Sequence, residues 1–475
     1  MIRHALSITL ITICLTGCTM APWYTRPAPP IPTDWPSGEA YKKDASGTPV
    51  PVASKLPWQE FINDERLQKV ITMALNNNRD LRIATLNVDR ARAIYGIQRS
   101  ELFPALDAVG AGVKQRVSAD LSDTGSSKIT ERYSADLGIL SWEIDLFGRI
   151  RSLSDKALEE YLATEYVQQG AQLSLIASVA EVYLGLAADH EGLKLSQSTL
   201  DAQQASYKLI QRRYEVGITN ELDLRRAQTQ VDLARRDVAL YNQFVAQGEN
   251  ALNLLVGAPV PREFLPNDLN SVTPLTDISA GVSSDILLGR PDILAAEHRL
   301  KAANANIGAA RAAFFPRIAL TTTVGTASNE LSGLFKAGAA TWSFAPQVVM
   351  PIFDARLWSA LRGITVEREI ALAQYEKSIQ TAFKETADAL AKKGSVDDQL
   401  AAQESLVQAS SETYRLSNAR YVKGIDSYLG VLDSQRALFA AETALIILRL
   451  SKLNNLVTLY KVLGGGVDSA PDSSR

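Results

Sequence analysis

Between Leu173 and Ala187 the apolar positions fall into two stripes. Leu173, Ile176, Ala180, Tyr183 and Ala187 recur at three- and four-residue steps, and so do Leu175, Val179, Val182 and Leu186. At about 3.6 residues per turn these stripes lie about 100° apart, with Ser174, Ser178, Glu181 and Gly185 on a third, polar or small face. Two seams suit a helix with a neighbour on each side, as in a cylinder of helices. One wide buried face on an ordinary bundle helix fits this window almost as well. Length separates the two. No proline occurs in the 154 residues between Pro104 and Pro259 or in the 119 between Pro351 and Pro471. Both spans are dense in Ala, Leu, Gln, Glu and Arg, the good helix formers. The pattern predicts very long helices over 148–216 and 355–423, each followed by another at 220–256 and 427–463. Each of the longest would reach about 100 Å at about 1.5 Å per residue, far beyond the three or four turns of an average helix.

Between the helices the period changes to two. Val109, Ala111 and Val113 alternate with Ala108, Gly110 and Gly112, and Tyr133, Ala135, Leu137 and Ile139 with Ser134, Asp136 and Gly138. Ile318, Leu320 and Val324 alternate with Ala319, Thr321 and Thr323, and Trp342, Phe344, Val348, Met350 and Ile352 with Ser343, Ala345 and Gln347. Strands are expected at about 105–117, 133–145, 317–327 and 341–353, each about the length of an outer-membrane strand. Pro104 and Pro316, each after a phenylalanine, mark the helix-to-strand transitions, because proline pushes the preceding residue out of the helical region.

The chain is written twice. Shifted by 212, Asp80-Leu81 falls on Asp292-Ile293, Gly96 on Gly308, Arg99 on Arg311 and Phe103-Pro104 on Phe315-Pro316. Shifted by 207, Arg213-Tyr214 falls on Arg420-Tyr421, Gly217-Ile218 on Gly424-Ile425 and Leu222 on Leu429. Matches in this order across both halves indicate a tandem duplication. The expected organisation is a signal peptide over 1–17, a lipid-anchored extended segment over 18–60, repeats over 61–270 and 271–466, and a flexible tail over 467–475. Residues 19–57 are proline-rich and read as an extended tether without regular structure.

Composition removes much chemistry. The net charge is −3, so no basic field points to nucleic acid. The three histidines, His4, His190 and His298, are scattered, and the two cysteines, Cys14 and Cys18, both lie in the leader. A His/Cys metal cluster, a Cys-His nucleophile pair and a disulfide framework are therefore hard to build. No GxxxxGK[ST], helix-opening GxGxxG or GxSxG is present. A carboxylate hydrolase would need two converging acids, and no feature nominates a pair.

The leader MIRHALSITLITICLTGC has a short basic region, an apolar run too short to span a bilayer, and Leu15-Thr16-Gly17-Cys18 at its end. That ending is similar to a bacterial lipobox, with acylation at Cys18 and, since Thr19 is not Asp, sorting to the outer membrane. No helical span of eighteen apolar residues offers another route across. Four strands cannot close a barrel, and open strand edges are forbidden in lipid. Membrane-spanning strands would therefore require several chains to share one barrel.

Lipobox, duplicated halves, two strand pairs and giant helices together resemble the outer-membrane factor (TolC) family, in its OprM-like branch, over essentially all of 18–466. LPWQEFINDERLQKVITMALNNNRDLR, SWEIDLFGRIRS, LLGRPDILAAEHRLKAANANIGAARAAFFP, QYEKSIQTAFKETADAL and RYVKGIDSYLGVLDSQR carry the likeness. The resemblance implies a mainly α fold with a β-barrel contribution. Three protomers of four transmembrane strands each would form a twelve-strand barrel, continuous with a twelve-helix periplasmic tunnel. It further implies a homotrimer set in outer-membrane lipid, served by a periplasmic adaptor and an inner-membrane transporter of the RND type. Such a protein is a passive conduit with no cofactor and no catalytic residue.

Ile425, Leu429 and Asp433 are spaced four apart and read as one helical stripe. At the narrow end of a three-fold tunnel they become rings. Apolar rings can gate by dewetting, and a carboxylate ring selects cations. Three ionised carboxylates about 6 Å apart repel by about 3 kcal/mol per pair at an effective dielectric of about 20. Arg436, one turn on from Asp433, is the candidate to offset that. The resemblance places Tyr421 and Asp426, with Asp223 of the first repeat, at contacts that latch the closed end. The second repeat has Gly430 where some relatives carry a further aspartate. Two plainer readings stand beside these: Asp426 as a helix cap after Gly424, and Asp433–Arg436 as an exposed pair worth well under about 1 kcal/mol. The remaining alternatives are a duct for heavy-metal efflux or for type I peptide or protein secretion, and a periplasmic lipoprotein scaffold with a soluble sheet.

Overall fold

Asp107–Val117 (β1), Lys128–Glu143 (β2), Arg317–Ser328 (β3) and Ala340–Val349 (β4) form one antiparallel sheet in the order β1-β2-β3-β4. The structure, a computed structural model, describes residues 19–41, 51–281 and 283–465; the 1–17 leader, Cys18 and the 467–475 tail lie outside the described residues. β2 begins at Lys128 rather than at 133, because Lys128–Arg132 continue the ladder opposite Val113–Val117. β4 stops at Val349, opposite Arg317, shortly before Pro351, which has no amide to offer a ladder.

Register decides the faces, since residues directly opposite across a ladder share one. Leu137 lies opposite Val324, Val324 opposite Trp342, Thr322 opposite Phe344 and Ile318 opposite Val348. This apolar face is open, and Trp342 is 81% exposed. Between Ile139 and Trp142 the β2 chain takes three steps against two on β3, a bulge that puts Trp142 opposite Leu320. Strand β1 is inverted relative to its hydrophobicity. Ala108, Gly110 and Gly112 lie opposite Leu137, Ala135 and Tyr133, so Val109, Ala111 and Val113 share the other face with Asp136, Ser134 and Arg132.

Each strand pair is reached by the same device. Helices Arg79–Ser100 (α3) and Pro291–Ala312 (α6) end in a tight turn, with the Phe103 amide on the Ser100 carbonyl and the Phe315 amide on the Ala312 carbonyl, both at 3.0 Å. Pro104 and Pro316 follow, and the strands begin within three residues.

The chain forms two units, one of Met1–Ala28, Asn87–Glu165 and Ala295–Tyr375, the other of Pro29–Leu86, Tyr166–Leu294 and Glu376–Arg475. The first holds the sheet. In it the segment after Cys18 has no regular structure, as its prolines predict, yet it is docked. The Thr19 hydroxyl meets the Ser152 hydroxyl at 2.9 Å, Arg311 Nη1 donates to the Met20 carbonyl at 3.2 Å, and Asn304 Nδ2 to the Pro22 carbonyl at 2.7 Å. Tyr24 donates to Glu297 Oε1 at 3.2 Å and Arg26 to Glu297 Oε2. The segment thus runs back along α6 over one stripe, 311, 308, 304 and 297. Gly308 makes room for it, since a Cβ there would stand 2.6 Å from the Ala21 nitrogen.

The second unit holds the main core. It contains Trp58–Phe61 (α1), Glu65–Asn77 (α2), Glu221–Val256 (α5), Tyr428–Val462 (α8) and most of Arg149–Glu215 (α4) and Ala355–Val422 (α7). Both predicted stripes of α4 face inward: Leu173, Ile176, Ala180, Tyr183, Ala187, Leu175, Val179 and Leu186 are all buried, and Val182 packs partly buried against them. Phe61 and Tyr460 stack with centroids 4.1 Å apart, and the Tyr460 hydroxyl donates to the Leu56 carbonyl at 2.8 Å. The sequence reading found no helical span of eighteen apolar residues, but α4 holds one window that is apolar enough by composition. Some 61% of that window is buried, which makes it core.

Candidate gate at the helical tips

Two helix turns carry the repeated Arg-Tyr-x-x-Gly-Ile motif, and the backbone explains the spacing. Helix α4 ends at Glu215 and α7 at Val422, and each is followed by a glycine in the left-handed region, Gly217 at φ 79° and Gly424 at φ 73°. The Gly217 amide donates to the Tyr214 carbonyl at 3.0 Å and the Ile218 amide to the Arg213 carbonyl at 2.8 Å. In the second turn the Gly424 amide donates to Tyr421 at 2.9 Å and the Ile425 amide to Arg420 at 3.0 Å. This is the paired 6→1 and 5→2 closure of a Schellman motif, in which glycine takes the αL position at no steric cost.

From there α5 starts behind Asn220, whose side chain accepts the Asp223 amide at 2.9 Å, while α8 starts behind Ser427 with no side-chain cap. Asp426 does not cap α8. Its carboxylate lies across its own turn, taking Arg420 Nε at 2.5 Å and Nη2 at 3.1 Å. The Arg420 hydrogen bonds hold the Asp426 carboxyl below its ordinary range.

The two hairpins pack through Ile210, Ala227, Tyr428, Val431 and Leu432, with Tyr207, Leu224, Tyr414 and Tyr421 around them. Arg213 lies 5.1 Å from the Tyr421 ring centre, and the Tyr421 and Tyr428 rings are 5.2 Å apart. The Tyr428 hydroxyl is buried without a hydrogen-bond partner among the described residues. Burial first, then the neighbouring Tyr421, Tyr414 and Asp223, push its pKa up to about 12. Asp223 serves its own hairpin, accepting from Thr219 Oγ1 at 3.0 Å and lying 3.7 Å from Arg226.

Leu429 and Asp433 both stand on the exposed side of α8, with Leu429 at 52%, opposite the buried Tyr428, Val431 and Leu432. Ile425 is also open, at 59%, but α8 begins only at Tyr428. Ile425 therefore sits in the turn, its amide spent on closing α7, and only Leu429 and Asp433 share a helical face. Arg436 donates to Gln230 Oε1 of α5 at 3.3 Å, and no ion pair of Asp433 occurs among the described residues. The sequence reading assigned no role to Arg213, Arg420, Tyr428 or Gln230. The doubled Arg-Tyr dipeptide was the signal for the arginines, and the seven-residue spacing of Tyr414, Tyr421 and Tyr428 was the signal for the aromatic cluster.

Comparison with known proteins follows the same outline. The sequence profile of a family described as outer membrane efflux protein matches residues 70–258 and 282–465. The chain is 47% identical over 468 residues to the probable efflux pump outer membrane protein TtgC of Pseudomonas putida, covering 98% of this chain and 96% of that one. It is 41% identical over 464 residues to the outer membrane protein OprJ of Pseudomonas aeruginosa, covering 97% and 96%. Among solved structures, a membrane protein from Pseudomonas aeruginosa superposes with a TM-score of 0.87 at 40% identity, over 94% of this chain and all of that one, 100%. The open state of the MtrE outer membrane channel of Neisseria gonorrhoeae superposes with a TM-score of 0.84 at 37% identity, over 94% and 98%.

Proposed function

The chain belongs to the outer membrane efflux protein family, and from that premise we propose how it conducts. It is an outer-membrane channel of an efflux system, in which three copies pool their strands. One observation carries this: the sheet ends on two unpaired edges, β1 and β4. Unpaired edges are intolerable in lipid. Each strand in the order β1-β2-β3-β4 is antiparallel to its neighbour, so β4 opposes β1 in direction and can continue an antiparallel ladder into the next copy. Two copies would give about eight strands, an interior filled by side chains; three are the smallest ring with an open lumen.

The faces suit that assembly. Trp342, Phe344, Val324 and Val348 are exposed on one face and meet lipid; Asp136, Arg132 and Ser134 lie on the other and meet water. A soluble sheet would not leave those aromatic residues open, which disfavours the scaffold alternative. At the tips, Leu429 forms the apolar ring and Asp433 the carboxylate ring, while Arg213 and Tyr421 hold the hairpins together and Arg420 with Asp426 braces the second turn. The lipobox-like leader supports an acyl anchor at Cys18.

The proposed cargo is taken from the names of relatives. The relatives carry names of toluene, antibiotic and solvent efflux. Small organic molecules are the corresponding cargo here, delivered through a periplasmic adaptor from an inner-membrane pump of the RND type. Subunit counting on the detergent-solubilised particle, with conductance in planar bilayers, tests the assembly. Three subunits forming an ion-conducting pore are expected. A lone subunit with no conductance would overturn the reading.

A further inference from the structure

We infer that an open apolar groove beside the start of the docked N-terminal segment seats an acyl chain carried by Cys18. The inference rests on the reading of Cys18 as an acylated residue and goes beyond it, from an anchor in the bilayer to a built seat on the protein. The groove has a volume of about 460 Å³ and is lined by Met20, Arg311, Phe314, Phe315, Trp358 and Leu361. That volume lies in the range of pockets that bury a small ligand.

Its walls are mainly apolar, and their rings pack on one another. Phe314 meets Trp358 edge-on with centroids 5.0 Å apart, and Phe315 is backed by Phe147 at 4.9 Å. Trp358 is nevertheless 69% exposed. Large aromatic surface held open to solvent is costly unless something apolar covers it.

The occupant is chosen by where the chain begins. Thr19 is tied to Ser152, and Met20, itself part of the wall, is tied through its carbonyl to Arg311 of the same wall. Cys18 is the next residue out, and consecutive Cα atoms stand about 3.8 Å apart. A chain attached to Cys18 is therefore tethered two residues from Met20, a residue of the groove wall, and that tether makes occupancy intramolecular. Gly308, which lets Ala21 approach α6, keeps the segment in this path. Seating one acyl chain would clamp the segment to the protein and leave the remaining chains to the bilayer.

The test uses the full chain made in a Gram-negative host fed a diazirine-bearing long-chain fatty acid, irradiated in its membranes and digested for mass spectrometry. Light and heavy isotope chains, mixed, separate links within a chain from links between copies. The expected product joins the N-terminal lipopeptide to the peptides bearing Phe314–Phe315 or Trp358–Leu361 of the same chain. Leu361→Trp, which narrows the groove, should cut that yield about tenfold, the equivalent of about two methylenes left unburied. Labelled lipopeptide that joins only phospholipid overturns the inference. So do groove peptides that join only phospholipid chains or a neighbouring copy. An N-terminal peptide without lipid instead overturns the acylation reading, and its mass reveals this before any crosslink is sought.

Discussion

The guanidinium of Arg213, near the end of α4, lies 5.1 Å from the ring centre of Tyr421, near the end of α7. These are the corresponding ends of the two long hairpins, so this contact ties one tip to the other, while the Tyr421–Tyr428 ring pair braces the second tip from within. An exposed cation–π contact contributes about 0.5–1 kcal/mol, or about two- to fivefold in a two-state equilibrium. Tyr421→Ala should raise single-channel open probability by about that factor in planar bilayers. Tyr421→Phe keeps the ring and should not. Equal behaviour of the two variants would remove the ring from the latch.

Leu429 and Asp433 are the exposed pair on one face of α8. Leu429→Ala should raise conductance by widening an apolar constriction, and leave ion selectivity in place. Asp433→Asn should do the reverse, lowering cation preference measured as a reversal potential under a salt gradient. A parent-like reversal potential in Asp433→Asn would exclude a carboxylate ring there.

The tip has two acid–base limits. Arg420 lowers the Asp426 carboxyl below 3.8, so the pair stabilises the turn above that value and is lost as pH falls through the lower folded value. Acid-induced opening through this pair is therefore expected only below pH 3.8. Opening at about pH 5 that persists in Asp426→Asn would assign the effect elsewhere. Tyr428 works at the other extreme. Its pKa is raised from 10.0 to about 12, so its packing is intact below the first value and is lost as pH rises through the second. Phenolate absorbance should report that late titration. Tyr428→Phe should abolish the alkaline limb at little cost near neutrality, because the hydroxyl has no partner to lose.

Gly217 and Gly424 face open space, so a methyl group meets nothing and only the backbone is strained. Gly424→Ala should cost about 1–2 kcal/mol. Gly257, at φ 73°, would in addition place a Cβ 2.6 Å from the Asn77 carbonyl oxygen. Gly257→Ala should therefore lower the thermal midpoint more than Gly424→Ala, and the opposite order would contradict this account of the turns.

The helices and the turns between them were legible because local rules fix them: proline-free runs, two apolar stripes on 173–187, and Gly217 and Gly424 after an arginine–tyrosine pair. What was hidden depends on distant partners. Val109, Ala111 and Val113 show a clean alternation, but the face they occupy is set by register against β2, which hydrophobicity in β1 does not encode. Arg436 is one turn from Asp433, yet it donates to Gln230 on α5, whose approach no local spacing predicts. The proline-rich segment has no regular structure over 19–41 but makes a short 3-10 turn at Ala53–Lys55, and its docking depends on a stripe of α6 that mixes Arg311, Gly308, Asn304 and Glu297, a pattern neither apolar nor charged enough to stand out.

Arg290 offers the sharpest stability test. Its side chain is only 10% exposed and donates to Asp292, to Glu385 and, at 2.7 Å, to the carbonyl of Val462 in the last turn of α8. The hydrogen bonds and charges of Asp292 and Glu385 outweigh burial and hold the guanidinium firmly protonated. Arg290→Met leaves the Val462 carbonyl without its donor and two carboxylates without their cation. Both carboxylates are about half exposed and can turn to water, so the loss comes mainly from the buried carbonyl, about 2–3 kcal/mol. Arg290→Lys keeps the charge but presents a point rather than a fork, and should recover only part of that. Asp292→Asn, at a half-exposed partner, should cost under about 1 kcal/mol. Thermal midpoints compared at one scan rate in detergent give the order; Arg290→Met as stable as Asp292→Asn would mean that the end of α8 is held by its apolar packing alone.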